Sequence, residues 1–253
     1  TLNYFDNVVD NNEGTLNIKA DTLATTDQTA GTLAKFGAAS DDIEILVNTL
    51  GDVTTGEFKA EQDDDLTLSD ITTTTDGATI DVGNNAITLT GDITVAVGKD
   101  LNITADSIEI DDDANPATAP TNTFVTSGTG NIILQPNTTD RAINLGSNNT
   151  GAFDLTADEL ARLQTGDGED VTIGQTGGTG AVDIGSAGAI TFDNDDQQFN
   201  LTINGGDVTS NDTLTLGSDT ATTNNLSLTI NSTGTVTDNT ANNNFVFGDA
   251  AGD

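Results

Sequence analysis

Apolar and polar residues alternate along this chain in short triplets. They read Leu66-Thr67-Leu68, Ile80-Asp81-Val82, Ile87-Thr88-Leu89, Ile93-Thr94-Val95, Leu101-Asn102-Ile103 and Ile108-Glu109-Ile110. Period-two alternation is the mark of a strand with one buried face. The triplets also recur in register. Starts at Leu66, Ile87 and Ile108 lie 21 residues apart, as do those at Ile80 and Leu101, and Ile71 to Ile93 is 22. Three interleaved series with one common step predict an all-β fold, a parallel β-helix (β-solenoid) with about three short strands per coil of ~21 residues. Each coil covers the apolar edge of its neighbour, so the core is a narrow column of Ile, Leu and Val. The corners Asp76-Gly77, Gly83-Asn84-Asn85, Gly91-Asp92 and Gly98-Lys99-Asp100 carry the residues that sharp turns require.

Beyond residue 130 the pattern loosens. Candidate strands follow at Ile132-Ile133-Leu134, Ile143-Asn144-Leu145, Phe153-Asp154-Leu155, Val171-Thr172-Ile173, Val182-Asp183-Ile184, Ile190-Thr191-Phe192, Phe199 to Ile203, Leu214-Thr215-Leu216, Leu226 to Ile230 and Phe245-Val246-Phe247. Their uneven spacing predicts larger coils or coils that lose a strand. Residues 111–122, with Asp111-Asp112-Asp113, Pro116 and Pro120, read as a loop excursion, because proline has no ladder donor. Thr156 followed by Glu159 is a capping box, and Leu160 and Leu163 are an i, i+3 apolar pair, which predicts a helical insert of about two turns over 156–164. Residues 1–60 form an irregular β-rich section in which Leu33 to Phe36 and Ile43 to Val47 lean to strand. Residues 61–253 form the solenoid. Wound throughout at 21 residues, the chain would make roughly twelve coils and about 58 Å of rod.

Composition narrows the chemistry. The chain has 253 residues, 41 acidic against 6 basic, a net charge of −35, no Cys, Met, Trp or His, and 4% aromatic residues. Such acidity invites a disordered reading, which the ordered triplets oppose. It excludes nucleic acid as a main partner, since phosphate binding needs a positive field. No run of eighteen apolar residues predicts membrane insertion, and no signal peptide is visible. Without Met, the sequence reads as a processed chain or a section of a longer one. The missing His and Cys remove disulfides, thiolate and imidazole metal ligands and the commonest general base.

The run Phe153-Asp-Leu-Thr-Ala-Asp-Glu-Leu-Ala-Arg-Leu-Gln-Thr-Gly166, followed by Val171-Thr-Ile-Gly174, Val182-Asp-Ile-Gly185 and Ala187-Gly-Ala-Ile-Thr-Phe192, resembles a segment of the large filamentous-haemagglutinin-like surface adhesins of Gram-negative bacteria. Some 40 residues carry the likeness. It implies an exported, fibre-like, right-handed β-helix used in adhesion or cell contact. The secretion domain typical of that family is not recognisable here, and the resemblance implies no catalytic residue.

Asp63-Asp64-Asp65, Asp111-Asp112-Asp113 and Asp193-Asn194-Asp195-Asp196 offer the oxygen ligands that calcium prefers. They are equally the solvated corners a solenoid needs. No Asp-x-Asp-x-Asp-Gly loop occurs, and Gly177 to Asp183 misses the nonapeptide calcium-roll pattern by one residue. Weak, distributed calcium binding is the most these clusters allow, so no cofactor and no metal-binding residue is assigned. Paired carboxylates for sugar hydrolysis arise by chance among so many acids, while Arg141 and Arg162 are the sole guanidiniums and Tyr4 the sole tyrosine.

The expected function is therefore a non-enzymatic, extracellular or cell-surface structural or adhesive module, one that self-associates or continues as the same long polypeptide at the solenoid ends and meets a host or neighbouring cell surface. A calcium-dependent surface-layer or sheath component and a phage-tailspike-like carbohydrate-binding or carbohydrate-processing β-helix are the alternatives.

Overall fold

The computed structural model describes residues 1–4, 7–10, 15–27, 34–37, 42–110, 124–126, 130–147, 151–166, 169–192, 197, 199–217, 226–239 and 245–247. Among them the fold is almost wholly β, and each ladder between strands is parallel. The longest path runs through Ile18–Lys19, Ile43–Leu46, Glu57–Glu61, Ala78–Asp81, Leu101–Thr104, Ile132–Gln135, Asp170–Ile173, Asn200–Gly205 and Leu228–Ser232. A second sheet forks. Thr49–Thr55 pairs on one side with Thr22–Asp27 and on the other with two strands at once, Leu66–Leu68 and Ile71–Thr73. One branch continues through Ala86–Leu89 to Ser107–Ile110, the other through Ile93–Val95 and Phe124–Thr126 to Leu163–Gln164. Two shorter sheets complete the chain: Phe153–Leu155, Ile143–Leu145, Val182–Ile184, Val208–Ser210 and Val236–Asp238, and Ile190–Phe192, Leu214–Leu216 and Phe245–Phe247.

Burial follows the alternation. Leu66, Leu68, Ile87, Leu89, Ile108 and Ile110 are buried, with Thr67 and Thr88 half-buried and Glu109 exposed. The inward residues join one continuous apolar cluster, the form a core takes when each strand covers only its neighbours.

Two of the three expected series pair as spaced: Leu66 with Ile87, Ile87 with Ile108, and Ile71 with Ile93. The third does not. Leu101 pairs with Ala78, and Ile103 with Ile80, a step of 23 rather than 21. A shift of two keeps every side chain on its face, so the core accepts it. The buried residue at that level is Ala78, whose small side chain forms no triplet of large apolar residues.

Along the longest path the step between paired residues grows from 20 (Phe58 to Ala78) and 23 to 31 (Leu101 to Ile132) and 39 (Ile132 to Val171), then falls to 30 and 27. Among the described residues the path therefore holds fewer layers than a constant step would give. Counted as before, at about 4.8 Å a layer, nine strands make roughly 43 Å rather than 58 Å.

The capping box is present. Thr156 Oγ1 accepts from Glu159 N–H, and the Glu159 carboxylate accepts from Thr156 N–H at 2.7 Å. The helix is one turn, Ala157–Leu160, not two. Leu163 lies beyond it and pairs with Phe124 in the ladder, fully buried, so the chain is already extended where a second turn would run.

In the first 60 residues, Lys35–Phe36 and Ile43–Leu46 are strands, and parallel pairing passes through residue 60 by way of Phe58 with Ala78. Leu33 and the excursion at 111–122 lie outside the described residues. At the corners, Gly83 has φ of +59°. Gly77 serves by closeness instead, since a Cβ there would stand 2.5 Å from the Asp100 carbonyl oxygen.

Candidate functional surface

The outward face is built from three arrangements of polar residues. The first lies at the corners. A strand entering a parallel sheet leaves its leading N–H without a ladder acceptor, a need like that of a helix N-terminus. Here the residue just before one strand supplies the acceptor for the next. Asp65 Oδ1 takes Ala86 N–H at 2.9 Å, Asp70 Oδ1 takes Asp92 N–H at 2.8 Å, and Asp207 Oδ1 takes Thr235 N–H at 2.8 Å.

Along one edge such bonds form a file. Asp100 accepts from Asn131 N–H at 2.9 Å, Asn131 Oδ1 from Asp170 N–H at 3.1 Å, and Asn200 Oδ1 from Ser227 N–H at 3.0 Å. The two asparagines also donate to the acids before them, Asn131 Nδ2 to Asp100 at 3.1 Å and Asn200 Nδ2 to Asp170 at 3.2 Å. An amide can accept from one layer and donate to another, whereas carboxylates stacked directly would repel. The Asp207 carboxyl is held below its ordinary range by the bonds from Thr235 N–H and Oγ1–H.

The second arrangement gathers three of the six cationic residues. Lys35 Nζ lies 2.6 Å from Glu57 and 2.9 Å from Asp76, Lys59 lies 3.4 Å from Glu57, and Lys99 lies 3.4 Å from Asp76. The hydrogen bond to Glu57, then that to Asp76, raises the Lys35 ammonium, and the bond from Lys35 lowers the Asp76 carboxyl. Beside the network is a cleft of about 350 Å³ whose lining includes Lys59, Lys99, Asp76 and Asp100. Beneath it, the Phe36 and Phe58 rings stack with centroids 5.2 Å apart. The charges offset one another, so this surface ties strands together without a surplus for an anionic ligand.

The third is an acidic cleft of about 580 Å³, lined among others by Glu44, Glu61, Asp63, Asp81 and Leu16. Glu44 and Asp81 both pair with Glu61 in the ladders, which brings the carboxylates of three strands to one side. Buried Gln62 closes the base. It accepts from Val47 N–H at 3.1 Å and donates to the carbonyls of Val47, Asp64 and Asp65.

The acids of Asp63-Asp64-Asp65 take separate partners. Asp63 accepts from Asn85 Nδ2, Asp64 from Asp65 N–H and Asp65 from Ala86 N–H. Among the described residues no group of three or more His, Cys, Asp or Glu is placed to hold a metal ion. The clusters at 111–113 and 193–196 lie outside the described residues. Arg141 Nη2 reaches the Ala152 carbonyl at 3.5 Å, and the Arg162 backbone carbonyl accepts from Phe124 N–H at 3.1 Å. Among the described residues no helix is long and apolar enough to cross a membrane.

No family model, curated protein or solved structure matches this chain.

Proposed function

We propose that the chain winds as a right-handed parallel β-helix, with about three strands per coil and ~21 residues per coil in its regular section. In this reading it serves as a non-enzymatic structural or adhesive module of a bacterial surface fibre, extracellular or cell-surface in location. The observation that carries the reading is the unbroken parallel path from Ile18–Lys19 to Leu228–Ser232, with its apolar residues inward. An inward column of this kind stabilises length rather than a closed pocket. The outward polar groups support it, since the corner carboxylates and amides spend their hydrogen bonds on adjacent layers. The resemblance of residues 153–192 to filamentous-haemagglutinin-like adhesins points the same way and suggests the handedness. Partners would be further solenoid of the same kind at the ends and a host or neighbouring cell surface.

Small-angle scattering and electron microscopy of the purified chain test the shape, and beads coated with it test adhesion to cells. A rod with cell-binding beads is expected. An isometric particle would overturn the β-helix, and a rod whose beads bind no better than albumin-coated ones would overturn the adhesive role.

A further inference from the structure

Of the 27 asparagines, Asn204 alone precedes a glycine. A following glycine leaves the backbone nitrogen open to attack the side-chain amide, because no Cβ shields the approach. Such a pair loses ammonia through a cyclic imide faster than other asparagines do. Here it lies inside a ladder rather than at an exposed corner.

The packing leaves neither residue free to change. Asn204 is 3% exposed. Its Nδ2 donates to the Gly174 carbonyl at 3.0 Å, one layer before, and its Oδ1 accepts from Asn231 Nδ2 at 2.8 Å, one layer after. A Cβ on Gly205 would collide with Val182 Cγ2 and stand 3.1 Å from the Gly180 carbonyl oxygen. The neighbouring sheet thus imposes the glycine, and two layers that need a donor and an acceptor impose the amide.

The same contacts withhold the pair from reaction while the layer is closed. Asn200–Gly205 is laddered on both sides, to Asp170–Ile173 and to Leu228–Ser232. The Gly205 carbonyl accepts from Thr233 N–H at 2.8 Å, and Gly206 N–H donates to the Gly180 carbonyl at 2.7 Å. With its amide tied across two layers and its backbone extended, Asn204 cannot bring Cγ onto the Gly205 nitrogen.

We infer that Asn204-Gly205 is a concealed modification site, one that turns opening of this layer into a permanent chemical change. Once the ladder opens, the Gly205 nitrogen attacks Asn204 Cγ. The new N–Cγ bond closes a cyclic imide, the Cγ–Nδ2 bond breaks, and the proton of Gly205 N–H leaves with Nδ2 as ammonia. Water then opens the ring at either carbonyl, giving aspartate or isoaspartate. Neither product restores the layer. An aspartate carboxylate offers no donor to the Gly174 carbonyl, and isoaspartate adds a main-chain carbon within a strand whose register sets the face of every side chain. Opening that is reversible before the reaction is irreversible after it. This does not depend on the function proposed above.

Peptide mapping of the intact chain, held in mildly alkaline buffer with and without guanidinium chloride, tests it. In denaturant, isoaspartate should appear at Asn204 ahead of every other asparagine. In the folded chain it should form there at least about 100-fold more slowly, the protection expected of a ladder that opens rarely. Asn231→Ala, which removes the donor to Asn204 Oδ1, should speed the folded-state reaction by about 5-fold. After long storage without denaturant, isoaspartate at 204 should be confined to chains that size-exclusion chromatography separates as unfolded. Equal rates with and without denaturant would overturn the concealment, and isoaspartate shared evenly between folded and unfolded fractions would overturn the permanence. If Asn231→Ala does not fold, the wild-type rates decide alone.

Discussion

Ala78→Leu separates the observed register from the one a constant 21-residue step would impose. In the structure Ala78 is fully buried, paired with Phe58 on one side and Leu101 on the other, and Phe58 already stacks on Phe36. A leucine there has no room, and overpacking a filled core costs about 1–3 kcal/mol. For a chain of this size each kcal/mol lowers Tm by about 2–4 °C, so a fall of about 2–12 °C is expected. Under a 21-residue register Ala78 would instead stand over Lys99 at a corner, where substitutions stay within about 0.5 kcal/mol. Thermal and urea melts followed by circular dichroism measure the difference, with the outward Thr79→Val as control. A compensating exchange sharpens the test. Ala78→Leu with Leu101→Ala should be less damaging than the two single costs added, with a coupling of about 0.5–3 kcal/mol between neighbours. Melting of Ala78→Leu within about 1 °C of wild type, with additive energies in the double variant, would refute the register.

The polar surface carries three further predictions. Asp100→Ala should cost about 1 kcal/mol in a urea melt, by analogy with loss of an N-cap acceptor, while Asp100→Asn, which keeps an oxygen for Asn131 N–H, should cost a few tenths. Acid should act in two senses. The lowered carboxyls of Asp76 and Asp207 contribute stability that is complete above the ordinary carboxylate range and lost as pH falls through their folded values; the raised, buried Glu159 binds its proton more readily when folded, so mild acidification favours the fold. Urea midpoints should therefore fall steeply below about pH 4, less steeply in Asp76→Asn, and the small gain between pH 7 and the carboxylate range should vanish in Glu159→Gln. Sodium chloride should raise Tm, because −35 net charges repel one another in the compact state and salt screens them; a Tm that is flat or falling between low and physiological salt would show that this repulsion does not limit stability.

The strand triplets were legible because each places two large apolar residues around one polar residue, and a 21-residue step is visible while corner lengths stay constant. Ala78 was missed because a methyl group carries little hydrophobic signal although its position is as buried as that of Ile80. The fork at Thr49–Thr55 had no such signature. Its burial alternates around a bulge that sets Gly51 and Asp52 against the single Ala24, and the strand serves two partners on its other side. Val208–Ser210 offers a single large apolar residue, and its ladders to Val182–Ile184 and Val236–Asp238 are what make it a strand. The lengths of the later layers are set by corners and insertions, which alternation cannot reveal. The corner acceptors leave a sign in the sequence that is independent of the apolar alternation. An acid or amide immediately precedes Leu66, Ile71, Ile93, Leu101, Ile132, Val171, Leu201 and Val208. The lysine network left none, because Lys35, Lys59 and Lys99 meet only through the pairing of Lys35 with Glu57 and the corners around Asp76.

That sign also explains how a chain so acidic forms a stack at all. Parallel in-register layers bring like residues over like at about 4.8 Å, and a file of carboxylates at that spacing would repel along its whole length. The file from Asp100 to Ser227 avoids this by alternation, with an amide between Asp100 and Asp170 and another after Asp170. The same device recurs where Asn144 donates to Asp154 and Asn211 to Asp183. Asparagine thus has a use beyond turn formation, since Asn131 and Asn200 each donate to the acid of one layer and accept from the backbone of another. Along this file the negative charge is spaced by amides and anchored on backbone N–H groups, whereas Asp70 and Asp92, and Glu44, Glu61 and Asp81, stand on neighbouring layers with no amide between them, so the repulsion is relieved at some corners and retained at others.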